Sequence, residues 1–324
     1  GETAMDAMRI ITEHGVIPVL GLKDPDTAPA LAAALRRGGL PLLEITMRAP
    51  RAMDCLRAIK ADCPEMLVGA GTILSVPQAE EAAAAGADFI VSPGCSRAVV
   101  QRCQELGVPI VPGCVTPTEI EAGLAMGLNV FKFFPSEALG GMENIRQLCG
   151  PYGNIRFIPT AGISFSNMEK YLASDRIAAV GGSFMAPSAM VDACDWDGIS
   201  ALCREAVARS MGFSLAHIGI NGADREQGLA TAQWFADRFG FPVKEGGKSN
   251  FAGTVVEACN GKFPGQAGHI AIGTWSPLRA EAYLRAHGVP LREEFRNVTP
   301  QGELKAVYLE EEIAGFAVHI VKRT

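Results

Sequence analysis

The sequence predicts an α/β chain: a (β/α)8 TIM barrel over residues 1–212, followed by a smaller α+β domain of paired βαβββ modules over residues 213–324. Three observations carry this. Short, continuous runs of apolar and β-branched residues alternate with alanine-rich helical stretches from residue 15 to residue 184. Continuous apolar strands separated by helices are what a parallel sheet covered on both faces requires. The alternation stops after a helix ending near Met211. Two similar segments, Ser214-Leu215-Ala216-His217-Ile218-Gly219-Ile220-Asn221 and Gly268-His269-Ile270-Ala271-Ile272-Gly273, then each open onto a helix and further strands, as an internal duplication does.

Strands are expected at 15–22, 40–47, 66–73, 88–93, 109–116, 129–135, 156–163 and 177–184, with helical patterns such as 28–37 and 78–85 between them. Eight βα units over about 200 residues fit a closed barrel. An open doubly wound sheet is the alternative. It calls for a G-x-G-x-x-G turn after the first strand, and Gly21-Leu22-Lys23-Asp24-Pro25 is not one. In a barrel the catalytic groups lie at the carboxyl ends of the strands, and side chains two apart on a strand share a face. Glu44, Thr46 and Arg48 have that spacing on the second strand. Lys132 and Phe134 have it on the sixth, provided Phe131 and Phe133 turn outward beneath the helices. Thr72 ends the third strand, Pro93 the fourth, Thr116 the fifth and Thr160 the seventh.

The segment Asn129-Val130-Phe131-Lys132-Phe133-Phe134-Pro135 is too apolar to be a solvated face. Burial disfavours an ammonium and pulls a lysine toward the free amine that attacks ketones to form a Schiff base. The plainer reading is a lysine snorkelling from a strand end. An unpaired ionisable group deep in a barrel is costly, which favours a chemical role for both Lys132 and Glu44. Glu44 and Arg48 could also be a simple ion pair, and Thr116-Pro117-Thr118-Glu119 reads as a helix-capping box. Strand seven ends in Thr160-Ala161-Gly162-Ile163 and strand eight in Gly181-Gly182-Ser183-Phe184. Glycines let backbone N–H groups approach an anion, and barrels often hold phosphate after these two strands. A tight turn that merely needs glycine is the plain reading of Gly181.

The motifs Val16-Ile17-Pro18-Val19, Leu43-Glu44-Ile45-Thr46-Met47-Arg48, Val68-Gly69-Ala70-Gly71-Thr72, Ser92-Pro93-Gly94, Phe131-Lys132-Phe133-Phe134-Pro135 and Gly181-Gly182-Ser183 occur in this order. On them, residues 8–208 resemble the family of 2-keto-3-deoxy-6-phosphogluconate aldolases, which also contains 4-hydroxy-2-oxoglutarate aldolases. The resemblance implies a class I aldolase with no cofactor, commonly a homotrimer, acting on a small 2-oxo acid. It implies Lys132 as the Schiff-base lysine and Glu44 as the acid/base. Arg48 and Thr72 would hold the pyruvyl carboxylate, Pro93 and Phe134 would line the pocket, and Thr160, Gly162, Gly182 and Ser183 would lie at the phosphate end. Ala161 departs from the pattern, standing where the family usually has glycine.

A net charge of −6 gives no basic footprint for nucleic acid or an anionic membrane surface. Nine scattered cysteines read as reduced thiols of a cytoplasmic protein, and neither a secretory signal nor an 18-residue apolar span is expected. In the second domain the helices are expected at 227–239 and 277–287, and the closing strands at 255–258 and 317–320. The duplication sets His217 with His269, and Glu257 with His319, at equivalent strand positions. Three imidazoles and a carboxylate suit a divalent metal such as zinc, nickel, manganese or iron. Residues 214–322 resemble the glyoxalase-like, or vicinal-oxygen-chelate, superfamily, whose paired βαβββ modules carry metal ligands on the first and last strand of each module. A satisfied strand histidine is the plain alternative. His14 reads as a loop residue, His287 as a helix end, and Glu310-Glu311-Glu312 as a solvated turn. Two function classes follow: an aldolase with an accessory domain, or a silent barrel scaffold whose C-terminal domain binds the ligand.

Overall fold

The computed structural model describes residues 2–300 and 302–323. The chain divides into two compact units, Gly1–Ser210 and Met211–Thr324.

In the first unit the elements run α1 (Glu2–His14), β1 (Val16–Leu20), α2 (Ala28–Arg37), β2 (Leu42–Thr46), α3 (Ala52–Asp62), β3 (Leu67–Gly71), α4 (Val76–Ala84), β4 (Phe89–Val91), α5 (Arg97–Leu106), β5 (Ile110–Val111), α6 (Pro117–Ala125), β6 (Val130–Phe133), α7 (Gly141–Cys149), β7 (Arg156–Pro159), α8 (Met168–Leu172), β8 (Val180–Gly182), α9 (Ser188–Asp192) and α10 (Trp196–Met211). Every expected strand is present, and every pairing among them is parallel. A six-stranded sheet has the order β5-β4-β3-β2-β1-β8, and β6 pairs with β7. Isolated parallel bridges join Gly113 to Lys132, Phe157 to Ile177 and Thr160 to Gly181.

Several strands are shorter than their apolar runs, for local reasons. Pro109 and Pro112 flank β5 and cannot donate to a ladder, so only two residues pair as a strand. β7 stops at Pro159, ahead of a turn in which Ala161 has φ 75° and Gly162 φ 82°. The expected register of β6 holds. Phe131 and Phe133 are fully buried, both rings packing on Phe157 with centroids 6.2 and 5.7 Å apart. Thr116 and Glu119 form the reciprocal capping box of α6. His14 is not in a loop: it ends α1, its Nδ1 2.8 Å from the carbonyl of Ile10 one turn earlier.

The second unit contains β9 (Ser214–Ile220), α11 (Arg225–Phe239), β10 (Val243–Lys244), β11 (Ser249–Ala252) and β12 (Val256–Cys259), then β13 (Gly268–Thr274), α12 (Pro277–Ala286), β14 (Leu291–Val298), β15 (Leu304–Ile313) and β16 (Phe316–Lys322). These are two consecutive βαβββ modules. They share one eight-stranded sheet, ordered β10-β11-β12-β9-β13-β16-β15-β14. The first strands of the two modules pair antiparallel at its centre, and each pairs parallel with the last strand of its own module. Ala280, Leu291, Leu304, Val307 and Ile320 form one core cluster, and Ala232, Ala252 and Ala258 a second. Glu310-Glu311-Glu312 is not a turn. It lies within β15, where a register shift between Tyr308 and Glu312 bulges the strand and leaves these side chains toward solvent.

Candidate functional site

At the end of β6 the Lys132 side chain is buried, and its Nζ lies 3.3 Å from Glu44 Oε1 of β2. The Lys132 N–H donates to Pro112 O at 2.9 Å, and the Cys114 N–H donates to Lys132 O at 3.0 Å, fixing the backbone from both sides. The ring of Phe134 lies 5.4 Å from Nζ. Glu44 fits only because its neighbour on β3 is glycine: a Cβ on Gly71 would come within 2.1 Å of Glu44 Oε1. Gly113 plays a similar part, since a Cβ there would meet Pro93 O at 1.9 Å. Neither glycine stood out as functional in the sequence, although Gly71 lies within one of the motifs. The only sequence signal for Gly71 was a glycine in the strand beside the one that carries Glu44, opposite Thr46 in the ladder.

Arg48 does not share the strand face of Glu44 and Thr46. β2 ends at Thr46, and Arg48 lies in the following turn, its N–H donating to Thr46 O at 2.8 Å. The Glu44–Arg48 ion pair is not formed, because the partner of Glu44 is Lys132. The exposed Arg48 instead lines a cavity of about 480 Å3 that Ser183 also lines, together with Val19, Leu22, Leu31 and Val191. Thr72 follows β3 with φ 61°, a left-handed conformation that is an outlier for a β-branched residue. Thr160 is buried and bridges to Gly181. Gly181 is required for space, since a Cβ would lie 2.9 Å from Thr160 Oγ1 and 3.1 Å from Val19 Cγ2. Gly182 packs against the Phe184 ring, and Ser183 is exposed just beyond it.

In the second unit the four residues singled out by the duplication come together on one face of the sheet. His217 Nε2 and His269 Nε2 each lie 3.0 Å from Glu257 Oε2 and 3.3 Å from one another. The ring nitrogens of His217, His269 and His319 that could ligate all lie within 4.8 Å of each other. Strand pairing explains the convergence: Ala271 lies opposite both His217 and His319, and Gly219 opposite both Glu257 and His269. Small residues therefore floor the cluster. A Cβ on Gly219 would overlap the His269 ring at 2.0 Å. Burial would raise the Glu257 pKa, but hydrogen bonds from His217, His269 and Ser249 outweigh it and hold the carboxyl well below its usual range. Burial, with His269 and His217 alongside, pushes His319 down to about 3. His269 Nδ1 and both ring nitrogens of His319 are buried with no hydrogen-bond partner among the described residues. The His217, His269 and Glu257 atoms have the separations of ligands to one ion, since donors about 2.0–2.1 Å from a common centre stand roughly 3.0–3.4 Å apart; the three histidines could hold a metal.

A parallel α/β unit in which a buried lysine meets a carboxylate is equipped for enzyme chemistry through an imine with a carbonyl substrate. Residues 7–202 match the family model for KDPG and KHG aldolase, and the chain belongs to that family. It is 45% identical over 190 residues to 2-dehydro-3-deoxy-phosphogluconate aldolase of Treponema pallidum (strain Nichols), covering 59% of this chain and 90% of that protein. Among solved structures it resembles KDPG aldolase from Legionella pneumophila with pyruvate captured as a covalent carbinolamine intermediate, at 36% identity and a TM-score of 0.60, over 62% of this chain and 97% of that one. The 2-keto-3-deoxy-6-phosphogluconate aldolase of Zymomonas mobilis ZM4 with 3-phosphoglycerate is similar at 35% identity and a TM-score of 0.60, over 63% of this chain and 96% of that one.

Proposed function

We propose that the N-terminal unit is a class I aldolase that cleaves a 2-keto-3-deoxy sugar acid of the 6-phosphogluconate type, or 4-hydroxy-2-oxoglutarate, into pyruvate and an aldehyde, either glyceraldehyde 3-phosphate or glyoxylate. The observation that carries this is the buried Lys132–Glu44 pair at 3.3 Å. The Lys132 amine adds to the keto carbon, and loss of water gives a protonated imine. This imine draws in the electron pair of the breaking bond between the third and fourth carbons. Glu44 takes the proton of the fourth-carbon hydroxyl as the aldehyde leaves, then returns one to the enamine. Water releases pyruvate and regenerates the amine. Positioned proton transfer of this kind contributes roughly 100- to 10,000-fold. Arg48 and Thr72 hold the pyruvyl carboxylate, and the guanidinium's planar fork suits that task. Pro93 and Phe134 line the pocket, while Thr160, Gly162, Gly182 and Ser183 receive the phosphate. The isolated bridges at Lys132 and Thr160 support reading the two sheets as one closed (β/α)8 barrel. This reading carries with it a homotrimer in the cytoplasm.

The test is reduction with borohydride in the presence of pyruvate. One pyruvyl-derived mass should appear on the peptide containing Lys132. Labelling elsewhere, or none from active enzyme, overturns the assignment. A silent scaffold gives no reason to keep a lysine and a carboxylate paired out of water.

The second unit is read as a glyoxalase-like domain in which His217, Glu257, His269 and His319 hold one divalent metal. Such an ion would supply Lewis-acid polarisation of a ligand oxygen. Elemental analysis of protein prepared without chelator should find up to one metal per chain, lost in His269→Ala.

A further inference from the structure

We infer that Tyr171 is a positioning residue for the phosphate end of the substrate: its hydroxyl ties the Glu137 carboxylate to the N-terminus of α7 and so keeps that negative charge off the turn Thr160-Ala161-Gly162. This deepens, and rests on, the proposal that the turn receives phosphate.

Glu137 follows β6 by four residues, and its main chain belongs to the phosphate turn's own network. The Ser136 N–H donates to Thr160 O at 2.9 Å and the Glu137 N–H to Ala161 O at 3.3 Å. The stem of Glu137 lies directly beneath Gly162, where an added Cβ would come within 2.5 Å of Glu137 Cγ. The carboxylate itself is turned the other way. A Cβ on Gly141, the first residue of α7, would lie 2.8 Å from Glu137 Oε1 and 2.6 Å from Tyr171 Oη. A helix N-terminus favours an anion there.

What fixes this orientation is the Tyr171 hydroxyl. The side chain is fully buried on α8. Its O–H donates to Glu137 Oε1 in a short hydrogen bond. Its oxygen lies 3.1 Å from Ser136 Oγ. Burial first, then the bond to Glu137, pushes the hydroxyl up to about 12, so it remains a donor throughout the neutral range. Glu137 as a whole is exposed. Once untied, its carboxylate has solvent-filled room to rotate toward the turn, where it would repel a phosphate dianion.

The experiment measures steady-state cleavage of 2-keto-3-deoxy-6-phosphogluconate and of 4-hydroxy-2-oxoglutarate by the full chain and its variants. Tyr171→Phe should raise KM for the phosphorylated substrate about tenfold, with a smaller change in kcat. The effect on 4-hydroxy-2-oxoglutarate, which carries one negative charge at that end, should be weaker. The double variant Tyr171→Phe/Glu137→Gln should recover most of the lost affinity, because a freed amide does not repel phosphate. A loss shared equally by both substrates, or one that Glu137→Gln fails to rescue, marks Tyr171 as structural only and overturns the inference. If Tyr171→Phe does not fold, Glu137→Asp takes its place: it shortens the stem beyond reach of Tyr171 and should raise the same KM, and an unchanged KM overturns the inference. Ser183→Ala separates the two levels. If it leaves phosphorylated KM unchanged, the phosphate reading fails and this inference with it. If it raises that KM while Tyr171→Phe does not, only the inference fails.

Discussion

Single residues shape both candidate sites, and some are held where the backbone is strained. Thr72 is the plainest: a β-branched residue at φ 61° is strained by about 1–2 kcal/mol. Thr72→Gly should therefore stabilise the folded chain by about 0.5–1 kcal/mol after glycine's entropic penalty. If the Thr72 hydroxyl bonds the substrate carboxylate as proposed, the change should also lower kcat/KM by roughly 10- to 100-fold. Thr72→Ser should keep most of the activity, and if it does not, the hydroxyl is not what the site uses. Gly71→Ala makes a sharper prediction. The added methyl displaces Glu44, so kcat should fall steeply while borohydride still labels Lys132. In the second unit, Ser249 Oγ donates to Glu257 Oε1 at 2.5 Å and leaves Oε2 to face the two imidazoles. Ser249→Ala should weaken zinc binding by about 10- to 100-fold in a competition titration. At this scale the sequence showed charge and periodicity, hence Lys132, Glu44 and the four-residue cluster. It hid Gly71, Gly113 and Tyr171, whose roles depend on what packs against them across strands and helices.

Elements were legible wherever apolar periodicity was long, as in the two βαβββ modules. They were obscured where backbone chemistry intervenes. Prolines cut β5 to two residues, and the bulge in β15 disguised a strand as an acidic turn. α12 carries a further device that its sequence did not announce. Glu281 is buried and receives two hydrogen bonds from Arg296, at 3.0 and 3.1 Å, and one from Arg285 at 2.9 Å. Burial alone would raise its pKa; the arginine bonds outweigh that and lower it. A carboxyl whose folded pKa lies below its unfolded value adds stability above the unfolded value of about 4.3. That stability is lost as pH falls through the folded value. Glu281→Gln should accordingly cost the second unit about 1.5–3 kcal/mol at pH 7. In chemical denaturation the gap to the unaltered chain should close as the pH drops below about 4. A gap independent of pH would mean the ion pairs contribute nothing.

At the scale of the whole molecule, the proposed readings give the two units different chemistry, so each can be tested without the other. On those readings, imine formation at Lys132 would draw on an amine, a carboxylate and water, whereas the cluster around Glu257, three imidazoles and one carboxylate, would hold a cation. An ion bound only to the folded second unit stabilises it by mass action, about 2.7 kcal/mol at a free concentration one hundred times the dissociation constant. Dialysis against a chelator should therefore lower the unfolding temperature of the second unit. Pyruvate release by the first should be unchanged, and readdition of zinc should restore the lost stability. In His269→Ala, zinc should produce no shift, because that variant removes a proposed ligand and leaves Glu257 without one of its three hydrogen-bond donors. Loss of pyruvate release on chelation would contradict the Schiff-base assignment. A chelator-insensitive transition in protein shown to be metal-free would instead make the site a hydrogen-bonded cluster, with Glu257 as the common acceptor of His217 and His269.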